Sequence, residues 1–156
     1  MTVLGIDPGL ERIGYGLIDR TGSRLMAMDF GLIKTPKGET SARLALIFTQ
    51  ISELVRQTKP DLAVCERLFF TKNQTTGIDV AKALGVIQLV LETHGVVCRE
   101  MTPTEIKLAV VGHGGADKRQ VQYMVTKLLR LDAAPKPDDV ADAIAAAIAG
   151  ALAIRL

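Results

Sequence analysis

Four acidic residues stand where an ionised side chain needs a partner. Asp7 ends an apolar run that begins at Thr2, and Glu66 ends a second apolar run. An acid at the end of a buried strand costs free energy unless something pairs with it. Asp139 and Asp142 are three residues apart in a helical segment, so their side chains point to the same side. If the four carboxylates converge, they can bind hard divalent cations.

Such a site would carry out phosphodiester hydrolysis. Neighbouring carboxylates raise each other's pKa, and nearby cations are needed to keep all of them ionised. Mg²⁺ and Mn²⁺ prefer oxygen ligands, and the sequence offers no compact His/Cys cluster for zinc. Two ions about 3.5–4 Å apart activate a water molecule and stabilise the leaving oxygen of a phosphodiester. The set therefore predicts two Mg²⁺ (or Mn²⁺) ions per active site.

Each acid also has a structural explanation. Asp7 and Glu66 could be exposed acids at strand ends. Acids in the first turn of a helix interact favourably with its dipole, which accounts for Asp139, and we interpret Asp138 as the N-cap. Asp142 is explained less well in this way, because its sequence neighbours are apolar.

Hydrophobic periodicity and turn residues divide the chain into strands and helices. We predict strands at residues 2–7, 14–20, 24–34, 62–65 and 96–101. We predict helices at 41–58 with Ser41 as cap, 76–93, 103–111, 118–131 with Asp117 as cap, and 138–154. Three consecutive strands, then alternating strands and helices, describe one α/β domain over residues 1–156 with a five-stranded mixed sheet. Asp7 and Glu66 would reach the crevice where α/β sheets place ligands.

Composition excludes several classes of protein. Apolar residues make up 48% and charged residues 23% of the 156 residues, as in globular proteins. The apolar run 143–154 is too short to span a membrane, and the N-terminus lacks the basic leader of a signal peptide. Cys65 and Cys98 lie in separate apolar stretches, so we expect no disulfide framework and a cytoplasmic location. The net charge of +2 would hide a more basic surface if several acids bind metal.

Four segments of the chain resemble, in order, those of the RuvC-type Holliday-junction resolvases. They are residues 4–9 with Gly14-Tyr15-Gly16, residues 66–73, residues 110–112 with 118–121, and residues 139–143. The match runs from residue 3 to about residue 148. Each segment is short, and together they are specific.

The resemblance implies a ribonuclease H-like fold and a homodimer that makes paired cuts across a four-way DNA junction during recombination and repair. It implies that the four acids are the catalytic metal ligands, and that a branch-migration motor of the RuvA/RuvB type is a partner. Lys107 and Lys118 fall where the family carries active-site basic residues suited to the scissile phosphate. Solvated helix charge is the alternative explanation for both lysines. The apolar helix from Ile78 to Leu91 is our candidate for the dimer face.

Two adjacent phenylalanines, Phe69 and Phe70, lie in a polar loop. Anchoring in the core is the default explanation. The alternative is a wedge that stacks on or unstacks bases at the junction centre. Because the family carries an aromatic residue here, we favour Phe69 for this role, with Phe70 assisting or packing. The candidate phosphate contacts are Lys72, Asn73 and Arg119.

Three other functions compete with junction resolution. A YqgF-like nuclease of the same fold would act on RNA or on another branched substrate. A sugar kinase or actin-type ATPase needs two such domains and a second phosphate loop, for which 156 residues leave no room, so we predict no nucleotide cofactor. In a DNA-binding module without catalysis, four acids would repel the phosphates.

Overall fold

The computed structural model describes residues 1–68 and 74–154, which form one sheet with helices on both faces. The strands are β1 (Thr2–Asp7), β2 (Arg12–Thr21), β3 (Arg24–Lys34), β4 (Leu62–Glu66) and β5 (Cys98–Met101). The helices are α1 (Thr40–Thr58), α2 (Gln74–Thr93), α3 (Pro103–Val111), α4 (Lys118–Leu128) and α5 (Asp138–Ala153). None of these helices combines the length and the apolar character that crossing a membrane requires.

The sheet has the order β3-β2-β1-β4-β5 and confirms the predicted mixed topology. β1 pairs with β2 in antiparallel fashion and with β4 in parallel, and β4 pairs in parallel with β5. Ile6 lies beside Cys65 in the parallel ladder, so the next residues, Asp7 and Glu66, leave the sheet at the same edge. The pairing of strands far apart in sequence thus brings these two acids together.

Two apolar layers hold the sheet between the helices. Val3 on β1 packs in the cluster that contains Ile144 and Ile148 of α5. The next residue, Leu4, points to the other face, where it joins Ile51 of α1 and the buried side of α2. This alternation is what the two-residue repeat of a strand requires when both faces are covered.

α5 approaches β1 and β2 closely because glycines face it. A Cβ atom on Gly14 would overlap the backbone oxygen of Asp139, and one on Gly5 would overlap the backbone oxygen of Ala143. Gly14 is the cross-strand partner of Asp7. The start of α5 therefore lies directly over the pair that Asp7, at the end of β1, forms with Gly14 on β2.

Two predicted helix caps are wrong. α1 begins at Thr40, and Glu39 before it makes no side-chain cap, so Ser41 already lies inside the helix. Asp138 is the first residue of α5 and Pro137 is the N-cap. The Asp138 carboxylate is bound to Lys118 instead of the helix backbone.

The predicted Asp117 cap is confirmed, while several element boundaries differ, two of them for a reason that the structure shows. The Asp117 carboxylate accepts the backbone N–H of Gln120 at 2.9 Å, and the Gln120 side chain accepts the N–H of Asp117 at 2.8 Å. α4 ends at Leu128, before the predicted residue 131, since Arg130 adopts a left-handed φ of 53°. β5 begins at Cys98, because the N–H of Val96 still bonds to Leu91 in the turn after α2.

The two cysteines are neighbours in the sheet, although no local pattern in the sequence indicates it. Cys65 on β4 is buried, Cys98 on β5 is partly buried, and their Sγ atoms are 3.6 Å apart. Both thiols are free. They are two register positions apart on parallel strands, where diagonal neighbours are typically about 7–8 Å apart at Cα, a wide spacing for a disulfide.

Candidate metal-dependent active site

Three of the predicted acids act electrostatically on the fourth, Asp7. The pKa of Asp7 is raised from 3.8 to about 7, and burial is the largest cause. The negative charges of Asp142, Glu66 and Asp139 follow as further causes, while Lys118 offsets part of the rise. Since all three other acids act on Asp7, the four carboxylates share one electrostatic environment at this edge of the sheet.

Glu66 and Asp142 show the same perturbation. Burial and the charge of Asp142 raise the pKa of Glu66, and Lys107 and Lys118 oppose this rise. Burial also raises the pKa of Asp142, again against the effect of Lys118. Desolvation is thus the main cost of keeping these acids ionised, and their mutual repulsion adds to it.

Ion pairs hold Asp139 and Asp142 on α5. Arg12 Nη2 lies 2.5 Å from Asp139 Oδ2, and Lys118 Nζ lies 3.2 Å from Asp142 Oδ2. In these positions, no three His, Cys, Asp or Glu side chains within residues 1–68 and 74–154 are gathered closely enough to bind one cation. Arg12 and Lys118 therefore bind the carboxylates that would have to turn toward a metal ion.

Lys118 bridges two acids of α5. Its Nζ lies 3.1 Å from Asp138 and 3.2 Å from Asp142. Burial by itself would lower the pKa of Lys118, but the bonds and charges of these two carboxylates outweigh burial and raise it. Lys118 is therefore a fixed positive charge beside the acids.

Lys107 lies on the other side of the same acids. It lines a small cavity together with Glu66 and Asp142. Lys107 and Lys118 thus lie beside the acids, on α3 and α4, and their role toward the scissile phosphate stays a prediction.

The donor set fits Mg²⁺ or Mn²⁺. All four side chains offer only oxygen, which these hard ions prefer. Asp139 Oδ2 is buried and accepts no hydrogen bond from the described residues, although Arg12 lies close to it. A buried carboxylate oxygen without a hydrogen bond is costly, and a cation would satisfy it.

The predicted DNA contacts are only partly visible. Arg119 is exposed on α4, where it lines a shallow apolar groove with Tyr123 and Met124, outside the acidic cluster. The other predicted contacts, Phe69, Phe70, Lys72 and Asn73, lie outside the described residues.

Sequence reasoning missed the groups that hold the acids in place. Arg12 precedes its partner Asp139 by most of the chain, and nothing local signals the pair. Asp138 was assigned to the helix cap rather than to Lys118. Gly14 offered a usable signal, because a glycine inside a strand often marks a close backbone approach.

A sheet of this order, with acids at the ends of two adjacent parallel strands and on the helix across them, defines a ribonuclease H-like nuclease. The family profile described as "Crossover junction endodeoxyribonuclease RuvC" matches residues 3–150. The chain belongs to the RuvC family of crossover junction endodeoxyribonucleases. A relative of that name from Brevibacillus brevis is 47% identical over 149 residues, which cover 95% of this chain and 90% of the relative.

Solved structures agree with this membership. The RuvC structure of Thermus thermophilus superposes with a TM-score of 0.89 at 31% identity, covering 97% of this chain and 94% of that chain. The T. thermophilus RuvC in complex with a Holliday junction substrate gives a TM-score of 0.90 at 30% identity, covering 96% and 92%. The family and the fold that the sequence resemblance implied are both confirmed.

Proposed function

We propose that the chain resolves four-way DNA junctions at the edge of the sheet that carries Asp7 and Glu66. Membership in the family makes the chain an endodeoxyribonuclease of crossover junctions, which hydrolyses phosphodiester bonds. One observation carries the assignment of the site: the parallel pairing of β1 with β4 and the close approach of α5 bring Asp7, Glu66 and Asp139 to one edge of the sheet, where burial and the neighbouring acids raise the pKa of Asp7. Acids gathered at such a cost would repel a DNA backbone unless cations lay between them.

The ligands we propose for two Mg²⁺ (or Mn²⁺) ions are Asp7, Glu66, Asp139 and Asp142. When bound, the ions supply an activated water and stabilise negative charge on the leaving 3′-oxygen, which leaves a 5′-phosphate. The chain contributes the positions of the ligands. Two adjacent strands fix Asp7 and Glu66, and the close approach of α5 brings Asp139 to the same place.

The lysines would bind the substrate phosphate. Lys118, held between Asp138 and Asp142, keeps its proton because its pKa is raised, and it can donate to a non-bridging oxygen of the scissile phosphate. Lys107 lines the same cavity as Glu66, and from there it would neutralise negative charge on the phosphate. Metal would compete with Lys118 for Asp142 and with Arg12 for Asp139.

Contacts outside the acidic edge would select the branched substrate. We assign Phe69 as the wedge at the junction centre and Phe70 as its support. Phosphate contacts would come from Lys72, Asn73 and Arg119, of which Arg119 is exposed on the helix that begins with Lys118.

A homodimer would supply one site for each of two opposed strands. α2 remains our proposal for the dimer face, supported by its two large apolar side chains that are left exposed, Ile78 at 50% and Leu89 at 55%. We further propose that residues 1–156 work as one domain in the cytoplasm, with a RuvA/RuvB-type motor as partner. The two free thiols suit a reducing compartment.

Cleavage of a synthetic four-way junction tests this function. Asp7→Asn should lower cleavage in Mg²⁺ by at least about a thousandfold, because it removes a ligand and charge from the metal site. Junction binding in a gel-shift assay without metal should stay within about twofold. Asp132→Asn, an exposed acid in the turn between α4 and α5, serves as the control and should cut normally.

Full cleavage by Asp7→Asn would contradict the assignment of the site. A panel of substrates distinguishes junction resolution from a YqgF-like activity. Faster cleavage of RNA or of other branched structures than of the four-way junction would favour the YqgF-like activity.

A further inference from the structure

Arg43 has a buried nitrogen without a partner. It lies in the first turn of α1, half-buried, and its backbone N–H bonds to Glu39. Its Nε donates to Thr35 Oγ1 at 2.9 Å, but its Nη2 is buried and has no hydrogen-bond partner among the described residues. A guanidinium nitrogen shielded from water and left unsatisfied is costly. Since Nη2 is shielded from ligands as well, the guanidinium has to turn toward the cavity that it lines for an incoming oxygen to satisfy it.

Thr35 fixes the guanidinium against the turn that follows Asp7. Thr35 is only 5% exposed. Its hydroxyl donates to the backbone oxygen of Leu10 at 2.6 Å, and its own N–H donates to the oxygen of Glu11 at 3.0 Å. Because the hydroxyl proton is used by Leu10, the oxygen is free to accept from Arg43. The turn after β1 and the guanidinium are thus joined in one hydrogen-bonded chain.

Arg43 lines an open cavity of about 560 Å³ whose wall includes Asp7 and Asp139. Three of the other charged groups there have partners, whereas Asp7 and Glu11 form no ion pair with a described residue. Arg12 pairs with Asp139, and Asp79 lies 3.3 Å from Lys82. Within the part of the chain that the structure describes, no carboxylate pairs with Arg43.

We propose that Arg43 binds a phosphate of the DNA strand being cut, one of the two that flank the scissile phosphate, and that Thr35 positions it. This inference rests on the proposed function, which puts the scissile phosphate beside Asp7 and Asp139 in the same cavity. A phosphate offers oxygens in the geometry that the guanidinium fork matches, with opposite charge. Holding the neighbouring phosphate aligns the scissile one with the acids.

The test removes one phosphate charge at a time. Junctions are made with a neutral methylphosphonate at each phosphate flanking the cut, and cleavage rates are measured with wild-type protein and with Arg43→Gln. At one of these positions the wild-type rate should fall by roughly tenfold to a hundredfold, the loss of one charge-assisted hydrogen bond. Arg43→Gln should cut the unmodified junction more slowly than the wild type by a similar factor. The methylphosphonate at that position should not slow Arg43→Gln any further.

Matched variants separate phosphate binding from a structural role. Arg56→Gln on the same helix, whose side chain is 61% exposed and paired with Glu53, is the control and should cut normally. Arg43→Lys keeps the charge without the fork and should be slowed less than Arg43→Gln, with the same insensitivity to the modified phosphate. Added guanidinium ion should restore part of the activity of Arg43→Ala.

Three results would overturn the inference. Wild-type cleavage that no flanking methylphosphonate slows would do so. The second is a methylphosphonate at the sensitive position that slows Arg43→Gln by as large a factor as it slows the wild type. The third is an Arg43→Ala variant whose slower cleavage is explained by its lower thermal stability and is not rescued by guanidinium. A wild-type protein that does not cut the unmodified junction would refute the proposed function itself, and this inference with it.

Discussion

Replacing Asp7 with asparagine should stabilise the metal-free protein while abolishing cleavage. Asp7 ends β1 in a half-buried position, and burial and three other acids raise its pKa from 3.8 to about 7. An unfolded chain releases this proton near pH 4, whereas the folded protein retains it to about pH 7. Between these values the folded state binds the extra proton, so stability falls as pH rises, and the loss is complete above pH 7.

The size of the change in unfolding free energy follows from the pH range between the unfolded and folded pKa values of Asp7. Each pH unit over which the folded state binds one extra proton costs about 1.4 kcal/mol of unfolding free energy, which gives an upper limit of about 4 kcal/mol for Asp7. Residual solvent contact and rearrangement of nearby lysines reduce this limit. We expect Asp7→Asn to raise the free energy of unfolding by about 2–4 kcal/mol at pH 8 and by little at pH 4.

Urea denaturation of both proteins in EDTA, from pH 4 to pH 8, measures the difference. Mg²⁺ should then reduce the difference: at a concentration of about 100 times its dissociation constant it adds about 2.7 kcal/mol to the wild type and much less to the variant. The reasoning is refuted if the variant is no more stable than the wild type at pH 8, or if their difference does not change with pH.

Three further predictions concern residues other than the four acids. Gly14→Val should lower the free energy of unfolding by at least about 2 kcal/mol, because its side chain meets the backbone of α5; Gly85→Ala, which faces open space, is the control, and equal denaturation midpoints would contradict the close approach. Lys118→Met should slow single-turnover cleavage about a hundredfold with little loss of junction affinity, and an unchanged rate would leave this lysine as surface charge. Phe69→Ala should reduce cleavage about tenfold more than binding, and unchanged turnover would assign Phe69 to packing.

Local patterns were sufficient to predict the elements and the acids. Asp117 and Gln120 are three residues apart, so their reciprocal cap could be read directly from the sequence. Asp7 and Glu66 stood out because each ends an apolar strand, and the parallel pairing of those strands then brings them together. Each of these features depends on the order of neighbouring residues.

Features that depend on the packing of distant segments could not be predicted. The pairing of Arg12 with Asp139 follows from the way α5 lies over β2. The bond between Arg43 and Thr35 likewise depends on how α1 leaves the sheet. The wrong N-cap assignment of Asp138 has the same origin, because Lys118, on another helix, binds that carboxylate.

Anomalous diffraction from Mn²⁺-soaked crystals would test the central claim most directly. We predict two Mn²⁺ peaks about 3.5–4 Å apart, bound by Asp7 and Glu66 on the sheet and by Asp139 and Asp142 turned away from Arg12 and Lys118. No peak at this edge, or a peak bound only by other residues, would contradict the proposal that these four carboxylates form the metal site.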